Sequence, residues 1–434
     1  FKLIPLSKEN PYFSWVIYPA LTALTLSFAI LVPTPDLLLT TIGIWYMVYL
    51  KNVNYLAERK FSFLIFGTLG ALLYLAKAAG FFFFMFSFIA YNLYVARENP
   101  SSRKKISKQY ALSLFAFLLL NSFWITAISK KENKVLLSST LEYNFNIIGP
   151  AMNPDVFDLL HHPYESGELV NPPDENSISG WEAPNKMKTE NWSPIENISN
   201  FIHYLKVIGR NIISIQSYYF GMDAGTILLI GLAFLFFINQ NYMKKFFSEN
   251  IFPLIIAFSC TVPYVFVLVM ERHVWINNIV LLILAVSLFE FISRAHKPAS
   301  AVFLLSFCTT ILFVSIKELV YAKDDYSYIV NDKTELSEYL TGNTASVITG
   351  NENGEENYTK STVVNYVSNC KYYGMIQPLK QNVKTVNALS QHHIDYLLVW
   401  DKSYAIPDSL FTEKKAMKCG VIIYKLNHPS SMEL

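Results

Sequence analysis

Four residues carry the chemistry this sequence could perform: Asp36, Lys77, Glu271 and Arg272. Each lies at the edge of an apolar run. Asp36 follows Pro35 and opens the run from Leu37. Lys77 is the only charge between Phe61 and Val95, in Leu75-Ala76-Lys77-Ala78-Ala79-Gly80. Glu271-Arg272-His273 precedes the run from Val274. A lysine with an arginine supplies a point charge and a bidentate fork for phosphate oxygens. An aspartate beside them can hold a divalent cation or orient a hydroxyl. Ionisable residues at the ends of membrane spans mark functional sites by default. Blander readings compete. Asp36 can cap the helix that begins at Leu37. Lys77 can snorkel to the interface. Glu271 and Arg272 can pair with each other.

The elements that must position these residues are membrane helices. The chain has 434 residues, of which 52% are hydrophobic and 16% charged. Soluble domains carry about a quarter charged residues. Apolar runs fall at Ser14–Leu31, Leu37–Leu50, Phe61–Ala76, Gly80–Val95, Tyr110–Ile128, Thr226–Ile238, Ile251–Met270, Val274–Ile292 and Ala301–Ile316. With roughly 20 residues needed per bilayer crossing, these read as about nine spans. A lysine at mid-membrane costs roughly 2.5–3.5 kcal/mol on insertion scales, so Phe61–Val95 reads as two spans with Lys77 and Gly80 at a turn between them.

Every second connection is basic: Lys2/Lys8, Lys51/Arg59/Lys60, Arg97 to Lys108, Lys244/Lys245 and Arg294/Lys297. Basic connections stay in the cytoplasm. The remaining connections then face outward: the segment around Asp36, the Lys77 turn, Ser129–Tyr219, Glu271-Arg272-His273, and everything after Ile316. Four regions follow: 1–128 with five spans, 129–219 as an extracytoplasmic loop, 220–316 with four spans, and 317–434 as a small extracytoplasmic α/β domain. Within the loop, Ile198, Phe201, Ile202, Leu205, Ile208, Ile212 and Ile215 recur at helical spacing, the pattern of an interfacial helix. In the last region, strands are expected at Ser346–Thr349, Asp395–Trp400 and Gly420–Leu426, with helices at Thr334–Leu340 and Val386–His392.

Cys260 and Cys308 lie in apolar runs and read as small core residues. Cys370 and Cys419 share the last region and could form one disulfide if it lies in an oxidising compartment. His161 and His162 are adjacent, a poor metal spacing even with Asp155 and Asp158 nearby. His203 reads as an interface residue, and His392 and His393 as packing or solvent-facing. Sequons occur at Asn191, Asn197 and Asn357. A net charge of +2 gives no reason to expect a nucleic-acid partner. No Walker loop, nucleophile elbow, HExxH or GxGxxG is present.

Four places resemble the GT-C superfamily of membrane glycosyltransferases, in particular the protein O-mannosyltransferases and the aminoarabinose-type transferases. Thr34-Pro35-Asp36-Leu37-Leu38 is similar to the aspartate at the outer start of a span. Gly70 to Lys77 resembles a Gly-Leu-Ala-x-Leu-Thr-Lys-Gly turn, with Ala76 for Thr and Ala78 for Gly. Glu271-Arg272-His273 resembles Glu-Arg-Tyr. The run from Ser138 through Gly149-Pro150, Trp181-Glu182-Ala183-Pro184 and Trp192-Ser193-Pro194 resembles an outer loop of bacterial members. The resemblance implies sugar transfer from a polyprenyl-phosphate donor to a glycan, lipid or protein acceptor, at the outer face of a bacterial plasma membrane. It implies that Lys77 and Arg272 hold the donor phosphate, and that Asp36 and Glu271 bind substrate or a divalent cation, Asp36 being the metal candidate. The family's acidic base lies in the first outer loop, and nothing before Ser14 resembles it. We therefore read the chain as an N-terminally truncated piece and assign no catalytic base. A transporter or flippase of an anionic or lipid-linked substrate is the alternative, although paired broken helices and repeat symmetry are missing from the pattern. A membrane-anchored binding protein is a third reading.

Overall fold

A computed structural model describes residues 12–31, 35–53, 61–157, 169–220, 224–322, 327–348, 354–376, 388–401 and 406–427. The basic positions Lys2, Lys8, Arg59 and Lys60 and the His161-His162 pair lie outside the described residues. In chain order the helices are α1 Tyr12–Leu31, α2 Pro35–Asn52, α3 Ser62–Ala76, α4 Ala79–Glu98, α5 Arg103–Lys131, α6 Leu141–Asn146, α7 Ile198–Phe220 and α8 Ala224–Ile238. They continue with α9 Gln240–Glu249, α10 Ile251–Val265, α11 Trp275–Ala295, α12 Lys297–Ala322, α13 Ser327–Asn331, α14 Lys333–Leu340 and α15 Gly354–Ser368. One sheet contains β1 Thr344–Ile348, β2 Lys371–Ile376, β3 Tyr396–Val399, β4 Phe411–Ala416 and β5 Ile422–Leu426. The chain forms two compact units, one of Phe1–Ser138 with Leu205–Val320 and one of Ser139–Tyr204 with Tyr321–Leu434.

The first unit is a helical bundle, and the expected apolar runs fall on its helices, except that α10 ends at Val265 and leaves Phe266–Met270 outside it. Among the described residues, four helical stretches are long and apolar enough to cross a membrane: Ala79–Glu98, Pro100–Lys131, Glu271–Ala295 and Lys297–Lys317. The α9–α10 pair, bent by 62°, makes a fifth if it counts as one span. Ile17–Ala29, Ser62–Ala76 and Gly225–Ile238 are shorter apolar helices. The bundle is built around α11. A helix that is hydrophobic all round belongs in the interior, and from Trp275 to Ile292 nearly every residue of α11 is buried. It packs against α1, α2, α8, α9 and α10. The outer faces carry the opposite signal. Phe115, Leu119 and Phe123 on α5, Phe237 on α8, and Val302 and Phe313 on α12 all stand exposed. Apolar exposure on that scale is consistent with membrane association.

Two glycines set the local geometry. A Cβ at Gly67 would lie 2.5 Å from the Ala116 Cβ, so α3 and α5 approach through small residues. A Cβ at Gly80 would overlap the Leu73 carbonyl. That carbonyl accepts from Lys77 N at 3.2 Å, and Gly80 N donates to Lys77 O at 2.8 Å. Lys77 itself is extended, with φ −160° and ψ 140°, which ends α3 and lets α4 begin two residues later. The expected tight turn is therefore present.

The second unit holds a mixed five-stranded sheet in the order β2-β1-β3-β5-β4. β1 runs parallel to β2 and β3, while β5 pairs antiparallel with both β3 and β4. The segment expected to be a separate loop joins this unit at the β2 edge. Tyr372 N donates to Ile178 O at 2.7 Å and Val170 N to Tyr373 O at 2.9 Å. Ser179 forms a parallel bridge with Tyr372. An edge strand left open is a template for wrong pairing, and the added segments pair with it. Trp192 supplies a second anchor. It stacks on Phe145 with ring centroids 4.9 Å apart, and its Nε1 donates to Phe145 O at 2.8 Å.

Two expectations require correction. Cys370 and Cys419 are free thiols. Cys370 precedes β2 and Cys419 lies in the β4–β5 hairpin, with β1 and β3 between β2 and β5. Strand spacing of about 4.8 Å puts those strands roughly 14 Å apart, whereas a disulfide needs Cα atoms within about 7 Å. On α7 most of the named apolar positions face outward, and Ile215 faces inward. Ile198, Phe201, Ile202, Leu205 and Ile212 are exposed, and the inward stripe is His203, Val207, Asn211 and Ile215. Strands β2 and β4 and helix α15 were not expected from the sequence. β2 is interrupted by Gly374 at φ +97°. β4, Phe-Thr-Glu-Lys-Lys-Ala, is a charged edge strand. α15 buries polar residues, Asn357, Ser361, Asn365 and Ser368, and so lacks an apolar stripe. The Asn357 sequon is thus buried in the folded chain.

Two outcomes test this packing. Gly67→Leu should lower the melting temperature in detergent markedly, with overpacking costing about 1–3 kcal/mol. Gly209→Ala, with nothing within 4 Å of the added Cβ, should leave it unchanged or raise it, since alanine gains about 0.5–1 kcal/mol over glycine in a helix. For the cysteines, burial pushes the Cys419 thiol up to about 11 and the Cys370 thiol up as well. Both should react slowly with maleimide at neutral pH in the folded chain and rapidly after unfolding without reductant. A disulfide would leave them unreactive in both states.

Candidate functional site

Asp36, Lys77 and Arg272 meet. Asp36 sits in the first turn of α2, where the helix dipole favours an anion. Lys77 occupies the α3–α4 turn, and Arg272 lies in the 3-10 turn Glu271–Val274 that leads into α11. Lys77 Nζ donates to Asp36 Oδ1 at 2.5 Å, and Arg272 Nε lies 3.5 Å from Asp36 Oδ2. The Asp36 side chain is only 3% exposed, against 26% for Lys77 and 37% for Arg272. A buried carboxylate is expensive without compensation, and here each oxygen has its own cation. Burial pulls the Lys77 pKa down, and the Asp36 charge opposes that shift.

The triad carries a net positive charge. Arg272 uses Nε on Asp36, which leaves the Nη fork for a bidentate anion. Lys77 has two further donors. The cluster therefore has the charge and the donors to receive a phosphate oxygen, at the side where Lys77 and Arg272 are partly exposed. Asp36 is a poorer metal ligand than the sequence implied. A divalent cation at its carboxylate would sit against two positive charges. Among the described residues no group of three or more His, Cys, Asp and Glu stands together.

Glu271 stays apart from this cluster. It is exposed, and its electrostatic neighbour is Tyr218 of α7. Aromatic residues complete the site, and sequence reasoning missed one of them. His273 stacks on Tyr264 with ring centroids 4.1 Å apart, and Lys77 Nζ lies 6.0 Å from the centre of the same Tyr264 ring. The buried Tyr264 hydroxyl has no partner among the described residues. A tyrosine inside an apolar run carries no sequence signal for such a place. Asn211 of α7 donates to the Val265 and Val267 carbonyls at 2.9 and 3.2 Å, holding the end of α10 beside Tyr264.

Two other described histidines, His203 and His392, make structural contacts. His203 is buried with Nε2 2.8 Å from Ile148 O, and its ring lies edge-on to Trp192. His392 Nδ1 is 2.7 Å from Asn171 Oδ1.

A double-mutant cycle tests the ion triad. Asp36→Asn should destabilise the bundle by about 3–5 kcal/mol, the cost of stranding a buried partner, reduced by the partial exposure of both cations. Lys77→Met in that background should recover part of the loss, giving a coupling energy within about 0.5–3 kcal/mol. Thermal melts of the single and double variants measure it, and additive effects would show that the pair is not coupled. Comparisons with protein-family models, with curated proteins and with solved structures return no match for this chain.

Proposed function

We propose that this chain is a membrane glycosyltransferase of the GT-C type that takes sugar from a polyprenyl-phosphate donor. The observation that carries the reading is the convergence of Lys77 and Arg272 on one buried carboxylate. In this reading the nine apolar helices all cross or enter the bilayer, and the basic connections lie in the cytoplasm. The Asp36–Lys77–Arg272 cluster then lies at the extracytoplasmic end of the bundle of a bacterial plasma membrane. The exposed apolar faces of α5, α8 and α12 support lipid as their solvent. The outward apolar face of α7 supports a helix lying in the membrane interface.

The chemistry follows from charge. An acceptor hydroxyl on a glycan, lipid or protein attacks the anomeric carbon. The bond from that carbon to the phosphate oxygen breaks, the phosphate leaves with the electron pair, and the acceptor's proton passes to the leaving phosphate or to water. Negative charge grows on the leaving phosphate, and fixed cations are worth most where charge develops in a site shielded from water. Arg272 would grip the phosphate through Nη1 and Nη2, and Lys77 would neutralise it. Asp36 serves as the fixed counter-ion that keeps both cations in place. Glu271, exposed beside Arg272, is the acidic residue open to the acceptor. A divalent cation, if the reaction uses one, would be held between the donor phosphate and such an acid. The bent α9–α10 pair is the feature that a flippase reading would draw on. Among the described residues it is a single bend at Asn250, without the second broken helix that a repeat would place opposite.

The test uses the full-length protein in bilayers with a radiolabelled polyprenyl-phosphate sugar. Transfer of label to lipid, glycan or protein is expected. Lys77→Ala should abolish most of it, and Arg272→Lys should reduce it about tenfold or more by removing the bidentate fork. Movement of intact donor across the bilayer without sugar transfer would favour the flippase. Absence of transfer from several donors would refute the reading.

A further inference from the structure

The bundle has a second polar feature at the other end of α2. A cleft of about 140 Å³ opens between the C-terminal end of α2, the α9–α10 corner and the last turns of α11. That is room for several water molecules. Its floor is apolar, with Met47, Phe252 and Ile283 among the lining side chains. Its rim carries charges of both signs: Lys51 from α2, Glu249 from the corner and Glu290 from α11. The wall between them is fixed. Asn250 Nδ2 donates to Ser287 Oγ and to Phe246 O, both at 2.8 Å, and Asn250 and Ser287 are both buried. The carboxylates are braced from outside the cleft. Arg294 Nη2 donates to Glu290 Oε1 at 3.1 Å, and Lys245 lies 3.6 Å from Glu249 Oε1. Each carboxylate keeps Oε2 for another donor.

We propose that this cleft binds a phosphate group joined to a primary amine, the chemistry of a phosphatidylethanolamine headgroup. The ammonium would donate to Glu290 and Glu249, the phosphate would face Lys51, and the glycerol end would leave over the apolar floor. The mixed rim selects this zwitterion. A purely anionic headgroup would meet two carboxylates. A trimethylammonium headgroup offers them no hydrogen bond and needs more room. The cleft lies among the basic connections at Lys51, Lys245 and Arg294, where headgroups of the cytoplasmic leaflet would stand. The assignment rests on the bundle lying in a bilayer. It does not depend on sugar transfer.

Native mass spectrometry of the full chain in detergent, with equimolar phosphatidylethanolamine, phosphatidylcholine and phosphatidylglycerol, reads the binding directly. Phosphatidylethanolamine should be retained about tenfold over each competitor, a difference of about 1.4 kcal/mol, through charge-assisted hydrogen bonds that neither competitor can make. Glu290→Gln and Lys51→Gln should each abolish the preference while leaving the melting temperature close to wild type, whereas Lys297→Gln, outside the cleft, should keep it. Soluble phosphoethanolamine that displaces the lipid would confirm the headgroup as the recognised part and admit a soluble source. Phosphoethanolamine without effect would mean that the site needs the lipid. Equal retention of the three lipids by the wild type, or an unchanged preference in a folded Glu290→Gln, overturns the assignment. Donor-sugar transfer is not part of this measurement, so its failure and the failure of the transferase reading are told apart.

Discussion

A carboxylate with almost no access to water holds three separate connections of the bundle together. Asp36 begins α2, Lys77 separates α3 from α4, and Arg272 precedes α11. None of the three positions is explained alone. A buried aspartate without its cations would be an uncompensated charge. The lysine and the arginine would repel each other without the aspartate. Together they fix where four helices start or stop. They also leave a net positive charge with unused donors toward the partly exposed side. The same interaction therefore clasps the bundle and leaves the donors that the proposed anion site would use.

That clasp depends on the packing beneath it. α11 is buried on all sides and brings Arg272 to the right height. Gly80 lets α4 start under the Leu73 carbonyl, so that Lys77 can extend out of α3. Tyr264 and His273 stack into a flat wall beside Lys77. Asn211 binds the end of α10 from the side of α7. The site is thus an outcome of helix ends in register, a property of the bundle rather than of any one segment.

The second unit uses a different logic. Its sheet has one edge covered by segments from 139–204 and the other charged. Its buried helix α15 presents Asn and Ser where an apolar stripe would be expected, each side chain bonding within the unit, as Asn365 and Ser368 do to the carbonyls of Ser361 and Val364. Paired polar groups can be buried at little cost, although Asn365 Oδ1 is left without a partner among the described residues, and such a helix gives no periodic signal.

Much of the bundle was legible from residue types. Long apolar runs have to be helices in an apolar solvent, because every backbone group must be paired within the segment. The single lysine in Phe61–Val95 could only lie at a turn. The strands rich in Ile, Val and Leu, β1, β3 and β5, were legible for the same kind of reason. By itself, then, the sequence determined the helical class, the helix positions and the identity of three ionisable residues at helix ends. Only the tertiary structure decided that those three converge on one carboxylate, that Glu271 does not, that Cys370 and Cys419 lie beside strands too far apart for them to join, and that the loop completes a sheet edge. The physical reason is range. Periodicity and charge act over neighbouring residues, whereas a salt bridge between positions 36, 77 and 272 exists only once distant helices have packed.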